Sequence, residues 1–163
     1  MNIKTSKVTP GRRWPTVMLV AVGLWLVPSE GLAQVDVEYV RSEATAAAGL
    51  PFSDAVRVGH MLYLSGQVGS RPGDESGVVP GGIQPETRQT LENIKHVLES
   101  NGSSIDRVVK CLVMMADIAE WPAMNDVYRT YFAPDRLPSR SAFAGTGLAL
   151  GARVEIECWA TVE

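Results

Sequence analysis

The chain has 163 residues, 45% of them hydrophobic, and its 18 acidic residues outnumber its 15 Lys and Arg to give a net charge of −3. This length fits a single domain with one hydrophobic core. An acidic chain without a basic stripe has little attraction for a phosphate backbone, which argues against nucleic-acid binding.

The first 33 residues have the order of parts of a secretory signal peptide, with a basic segment, an apolar core at residues 17–27 and small residues up to Ala33. The core is shorter than the roughly 20 residues that a membrane span requires. We therefore expect cleavage after Ala33, no membrane anchor and export to the periplasm or the exterior. Residues 34–163 would form the mature domain, with 11 Lys and Arg against 17 Asp and Glu.

Alternating apolar residues predict two strands in the first half of this domain, at residues 35–40 and 55–67. Gly, Pro, Asp and Ser then indicate a loop over residues 69–82. From Pro85 the apolar spacing becomes helical, and Asn101 with the following glycine marks the end of that helix.

The second half predicts a strand at residues 107–117, a helix at 121–132, and strands at 139–146 and 152–162 joined by a glycine-containing turn. Apolar and polar residues alternate along the last strand, so one of its faces is core and the other is mixed. Two helices cover only one face of such an α+β sheet. A symmetric partner is expected to cover the second face, which predicts a homo-oligomer.

Cys111 and Cys158 lie in apolar, strand-like segments, which favours two buried thiols over a disulfide. Because the sequence does not fix the order of the strands, their pairing stays open. His60 and His96 stand alone, and each is expected to be a surface histidine or one satisfied by hydrogen bonds rather than a metal ligand. No spacing of Cys, His and carboxylates indicates a metal site.

An arginine and a glutamate are predicted to meet across the last two strands. A two-residue turn near residue 147 places Arg140 opposite Glu155, and a register shift of two residues moves the partner to Arg153 or Glu157. One interpretation is a surface ion pair that contributes about 0.2–1 kcal/mol. The alternative is a pocket in which both groups act on a substrate.

Five segments, in this order, resemble the Rid family of YjgF-like enamine/imine deaminases. They are "LSGQ" (residues 64–67), "TLENIKHVLESNGSSIDRVVK" (90–110), "MNDVYRTYF" (124–132), "LPSRSAF" (137–143) and "VEIE" (154–157). The resemblance covers residues 41–162. It implies a chorismate-mutase-like α+β fold and a homotrimer with a site at each subunit interface.

The chemistry that the resemblance implies is the hydrolysis of 2-aminoacrylate and related 2-imino acids to 2-keto acids and ammonia, without a cofactor. Arg140 matches the arginine that binds the substrate carboxylate, and Glu155 matches the glutamate that activates water. A guanidinium offers two parallel donors to a carboxylate. A carboxylate in turn can orient water and accept its proton.

Further residues are assigned to substrate binding, namely Phe52, Ser65, Gly66, Asn125, Ala142 and Phe143. Ser65 as a strand-end turn residue and Asn125 as a solvated or capping residue are equally compatible with the sequence. Phe52 stands where several family members have a tyrosine, and Ala142 where many have a cysteine. These departures leave open a non-catalytic trimer that binds small carboxylate metabolites. Ribonuclease activity, also ascribed to family members, is disfavoured by the acidic charge.

Overall fold

Two helices pack on one face of a mixed sheet in the computed structural model, which describes residues 35–74 and 76–163. The strands are β1 (Val37–Val40), β2 (Ala55–Val58), β3 (Met61–Leu64), β4 (Gln67–Val68), β5 (Val108–Met115), β6 (Ser139–Ala144) and β7 (Val154–Thr161). The helices are α1 (Glu43–Ala47), α2 (Ile83–Ser100) and α3 (Trp121–Tyr128). This is the predicted α+β class. Among these residues no helix has the length and apolar character needed to cross a membrane.

The strand order is β1-β2-β3-β7-β5-β6, with β4 paired to β7 beside β3. The predicted strand at residues 55–67 is wrong, because the chain turns back at Gly59 and pairs Val58 with Met61. Gly59 has a φ of 56°, a left-handed conformation that glycine adopts without steric cost and that fits a two-residue hairpin. Apolar residues continue to alternate through this turn, so the sequence pattern does not indicate where the first strand ends.

The helices follow the predicted pattern with changes at their ends. Helix α2 starts two residues before Pro85. Proline fits in the first turn of a helix because the N–H groups there have no helical partner, so the N–H that proline lacks is not missed. Leu91, Ile94 and Leu98 are fully buried on its inner face. Helix α3 ends at Tyr128, earlier than predicted. The short helix α1 was not predicted, although Ser42 caps it by accepting from the Thr45 N–H at 3.2 Å.

The predicted hairpin between the last two strands is wrong. Strand β6 pairs in parallel with β5, where Arg140 lies beside Cys111. Strand β7 pairs antiparallel on the other side of β5, and Glu155 lies beside Met114. Because α3 connects β5 to β6 as a crossover, these two strands run parallel. Residues 145–153 therefore pass from one side of β5 to the other instead of forming a tight turn.

The sheet has two distinct faces, as the alternation along β7 predicts. Val154, Ile156 and Cys158 are fully buried on the helix face, the side on which α2 and α3 pack. The intervening residues lie on the other side, which we call the open face. There Tyr63 and Trp159 keep more than a third of their surface exposed, and their ring centroids are 5.4 Å apart.

Cys111 and Cys158 form a disulfide between neighbouring positions of β5 and β7, with their Cα atoms 4.2 Å apart. The prediction of two free buried thiols is therefore wrong, while their burial is as expected. The two strands could not be recognised as neighbours from the sequence. His60 and His96 are exposed, as predicted. Within residues 35–74 and 76–163, no group of three potential metal ligands occurs.

Candidate active site

Arg140 is held against one face of helix α3. Trp121, Asn125 and Tyr128 are spaced by four and three residues, so they project from the same side of this helix. The Arg140 Nη1 donates to the Asn125 Oδ1 at 2.7 Å. Its guanidinium carbon lies 4.7 Å from the centroid of the Tyr128 ring and 5.9 Å from that of Trp121. These contacts fix the guanidinium by cation–π attraction and one hydrogen bond.

A surface cavity of about 370 Å³ opens at this guanidinium, lined by Asn125, Tyr128, Arg129, Leu137, Pro138 and Arg140. Among the described residues, no carboxylate lies within 4.0 Å of Arg140. Burial raises the pKa of Tyr128 to about 12, although the Arg140 charge opposes this, so the phenol stays neutral at physiological pH. The Arg140 charge is thus uncompensated in this cavity and can bind an anion.

Glu155 occupies the open face, between β4 and β5. It pairs with Val68 on one side and Met114 on the other. Burial raises the pKa of its carboxyl group, and the neighbouring Glu157 raises it further. Gly66 lies against this carboxylate so closely that any β-carbon there would overlap its oxygen. A half-buried carboxylate with a raised pKa is suited to accept a proton from water.

Arg140 and Glu155 therefore lie on opposite faces of the sheet and do not meet within one chain. Arg140 pairs with Cys111, which is buried on the helix face, whereas Glu155 alternates with the buried Val154 and Ile156. The predicted contact between the two groups is wrong because it depended on the hairpin. Within a single chain, the anion-binding group and the proton acceptor form two separate sites.

The other sequence-predicted residues divide between these two sites. Asn125 contacts Arg140 directly, and Ala142 follows Arg140 on the same face of β6. On the open face, Phe143 pairs with Met114 and so lies in one row with Glu155 across β6, β5 and β7. Gly66 lies against the Glu155 carboxylate.

Two predicted residues, Ser65 and Phe52, form no side-chain hydrogen bond with Arg140 or Glu155. The Ser65 hydroxyl donates to the Ser53 carbonyl at 2.7 Å, which is the turn role that the sequence left open. Phe52 precedes β2 with 49% of its surface exposed. Conversely, Trp121 and Tyr128 were not predicted at the site. Their spacing around Asn125 is the signal in the sequence that could have identified them.

The chain is similar to a known family and to several known proteins. The family described as Endoribonuclease L-PSP matches residues 42–162. The mouse protein named 2-iminobutanoate/2-iminopropanoate deaminase is 41% identical over 116 residues, which are 71% of this chain and 84% of that protein. Reactive Intermediate Deaminase A, chloroplastic, from Arabidopsis thaliana is 36% identical over 82% of this chain and 71% of its own length. The crystal structure of the yeast protein YEO7 superposes with a TM-score of 0.71 at 36% identity, covering 78% of this chain and all of that one.

The comparisons overturn the prediction of export. Two of its relatives have names that give an organelle, the chloroplastic Arabidopsis protein and the fission-yeast protein mmf2, mitochondrial. The expected periplasmic or secreted location is therefore wrong. Residues 1–33, where the signal peptide was predicted, lie outside the described residues.

Proposed function

The chain belongs to the Endoribonuclease L-PSP family, which includes the Rid deaminases, and on this basis we propose that it hydrolyses enamine and imine intermediates. The substrates are 2-aminoacrylate and related 2-imino acids, and the products are 2-keto acids and ammonia. The observation that carries the proposal is the guanidinium of Arg140, fixed by Asn125 and two aromatic rings with its charge uncompensated. A substrate carboxylate would complete this site.

The roles follow from the chemistry of the two groups. Arg140 holds the carboxylate through parallel N–H donors and so orients the imine carbon. Water attacks that carbon while Glu155 accepts its proton. That proton passes to the nitrogen and gives a tetrahedral intermediate with a hydroxyl and an amino group on the same carbon. The hydroxyl proton then moves to the amino group, the C–N bond breaks, and ammonia leaves as the keto group forms. An enamine substrate first takes a proton at its methylene carbon to become the imine, so the reaction needs no oxidant or reductant.

The site is proposed to form between subunits of a homotrimer, with Arg140 of one subunit facing Glu155 of the partner subunit. The separation of the two groups on opposite faces of the sheet supports this arrangement. So does the open face, where Tyr63, Phe143 and Trp159 are each between 37% and 50% exposed. Phe143 and Gly66 would line the Glu155 side of the interface. Light scattering should give three times the mass of one chain, and the mass of a single chain would contradict the trimer.

An imine-trapping assay tests the activity. An amino-acid oxidase releases 2-imino acids continuously, and semicarbazide competes with hydrolysis for them. The protein should lower the yield of semicarbazone and raise the yield of keto acid above the uncatalysed rate. No protein-dependent change across several imino acids would remove the proposal.

Replacing Arg140 locates the activity. Two charged hydrogen bonds to a carboxylate contribute about 3 kcal/mol or more, so Arg140→Ala should lower kcat/KM by about 100-fold or more. Arg140→Lys should recover only part of this, because an ammonium is not a planar fork. Arg136→Ala, which removes an exposed arginine paired with Asp106 at 3.9 Å, is the matched control. Activity retained in Arg140→Ala would contradict its role.

A second candidate is a trimer that binds small carboxylates without turning them over. The exposure of Phe52, which lacks the phenol of several family members, favours it, as does Ala142 in place of a cysteine. Calorimetry with 2-keto acids separates the two functions. Binding that depends on Arg140, in a protein without deaminase activity, would favour the second candidate.

A further inference from the structure

Arg153 joins three elements at the start of β7. Its backbone N–H donates to the Glu86 Oε2 at 2.8 Å, and its carbonyl accepts from the Ala116 N–H at 3.0 Å. Its guanidinium Nε lies 3.0 and 2.9 Å from the two carboxylate oxygens of Glu120, just before α3. Helix α2, the end of β5 and the start of α3 are thereby tied to one residue, two positions before Glu155.

Glu86 is the buried member of this cluster. It lies in the first turn of α2 with 3% of its surface exposed. Within the described residues, its carboxylate accepts one hydrogen bond, from the Arg153 N–H. Burial raises the pKa of Glu86, and the bond and charge of Arg153 oppose that rise. Burying a carboxylate costs free energy unless it is paired or hydrogen-bonded, so the hydrogen bond from the Arg153 N–H is strongly favoured.

The same glutamate also supports β4. A β-carbon on Gly69, the residue after β4, would come within 2.9 Å of the Glu86 Cα and carbonyl oxygen, so the two backbones are in close contact. Strand β4 in turn pairs Val68 with Glu155. Glu86 is therefore in contact with both segments that flank Glu155, the end of β4 and the start of β7.

We propose that Glu86 is a positioning residue for Glu155, because its hydrogen bond to the Arg153 N–H fixes the place where β7 begins beside β4. This inference rests on the proposed deaminase function, in which Glu155 accepts the proton of water. Glu86 acts through the Arg153 N–H and the start of β7. It sets the position of the Glu155 carboxylate.

A pair of conservative variants tests the hydrogen bond separately from the charge. Glu86→Gln keeps an acceptor at the same distance along the side chain and removes the charge. Glu86→Asp keeps the charge and withdraws the acceptor by one methylene. Misplacing a catalytic group by about 1 Å can cost up to about 100-fold in rate. Glu86→Asp should therefore lower kcat by about 10- to 100-fold, and Glu86→Gln should stay within about threefold of wild type.

The Michaelis constant provides the second readout. Arg140 binds the substrate on the other face of the sheet, so KM should stay within about twofold in both variants. A residue that only stabilises the fold would lower the melting temperature when replaced. At temperatures where the variant is still folded, it would not lower kcat while leaving KM unchanged. Glu92→Asp is the matched control on the same helix. Its exposed carboxylate accepts from the Tyr131 hydroxyl at 2.7 Å, and kcat should not change.

The outcomes are distinct. A loss of kcat in Glu86→Asp with recovery in Glu86→Gln supports the proposal. Wild-type kcat in both variants, a loss confined to Glu86→Gln, or a change in KM alone overturns it. An inactive wild-type protein in the same assay would instead remove the deaminase function itself.

Discussion

Reducing the bond between Cys111 and Cys158 is expected to remove about 4 kcal/mol from the free energy of unfolding. The two residues are 47 positions apart, and the chain-entropy relation for a loop of this length gives about 4 kcal/mol at 25 °C. Small domains are stable by roughly 5–15 kcal/mol in total. The bond therefore provides a large share of the stability. Because both cysteines are fully buried, reduction requires the fold to open and should be slow in native buffer.

Urea unfolding of oxidised protein, reduced protein and the Cys111→Ala/Cys158→Ala double variant measures this contribution. The reduced protein should unfold at a lower urea midpoint than the oxidised protein. The double variant also loses sulfur contacts in the core, so its midpoint should be equal to or below that of the reduced protein. Reductant should not move the midpoint of the double variant, which makes it the control. Two titratable thiols in unfolded, unreduced protein, or equal midpoints with and without reductant, would refute the reasoning.

Two further predictions concern Glu155. Gly66→Ala should lower the free energy of unfolding by about 1–3 kcal/mol in urea titrations and reduce kcat, since the new methyl group must displace the Glu155 carboxylate; unchanged stability and rate would show that the carboxylate is not held there. Folding raises the pKa of Glu155. The protonated group therefore contributes to stability at pH values below the ordinary carboxyl range, and this contribution is lost as the pH rises through the raised pKa. Glu155→Gln should therefore increase stability relative to wild type more at pH 7 than at pH 4, and a larger gain at pH 4 would contradict the sign.

Local sequence patterns predicted most elements, but not how the strands pair. The alternation of Val154, Ile156 and Cys158 correctly indicated a strand with one buried face, because side-chain direction depends only on neighbouring residues. Pairing depends on what the connecting segments can span. The glycines after β6 suggested a tight turn, whereas the sheet requires those residues to cross β5. The disulfide was not predicted for the same reason, because the sequence does not show that β5 and β7 are neighbours.

The sequence indicated some residues of the candidate site but not their arrangement. The sequence singled out Arg140 and Asn125, and the structure joins them by a hydrogen bond. It also singled out Glu155, which the structure places on the other face. Short motifs identify residue types at matching positions, and by themselves they do not show which face of the sheet each residue occupies. Tyr128 was missed because a buried aromatic residue on a helix is usually core, whereas Trp121 was identified only as the start of the predicted helix.

The central position of β7 has a consequence for folding during synthesis. This strand lies between β3 and β5, so the β1–β4 segment and the β5–β6 pair have no direct ladder between them. A nascent chain can form the early hairpin and α2 on the ribosome, but it cannot close its sheet until residues 154–161 have left the exit tunnel. Until then the inner edges of β3 and β5 remain unpaired. These two edges therefore have to be kept from pairing with other strands until β7 is available.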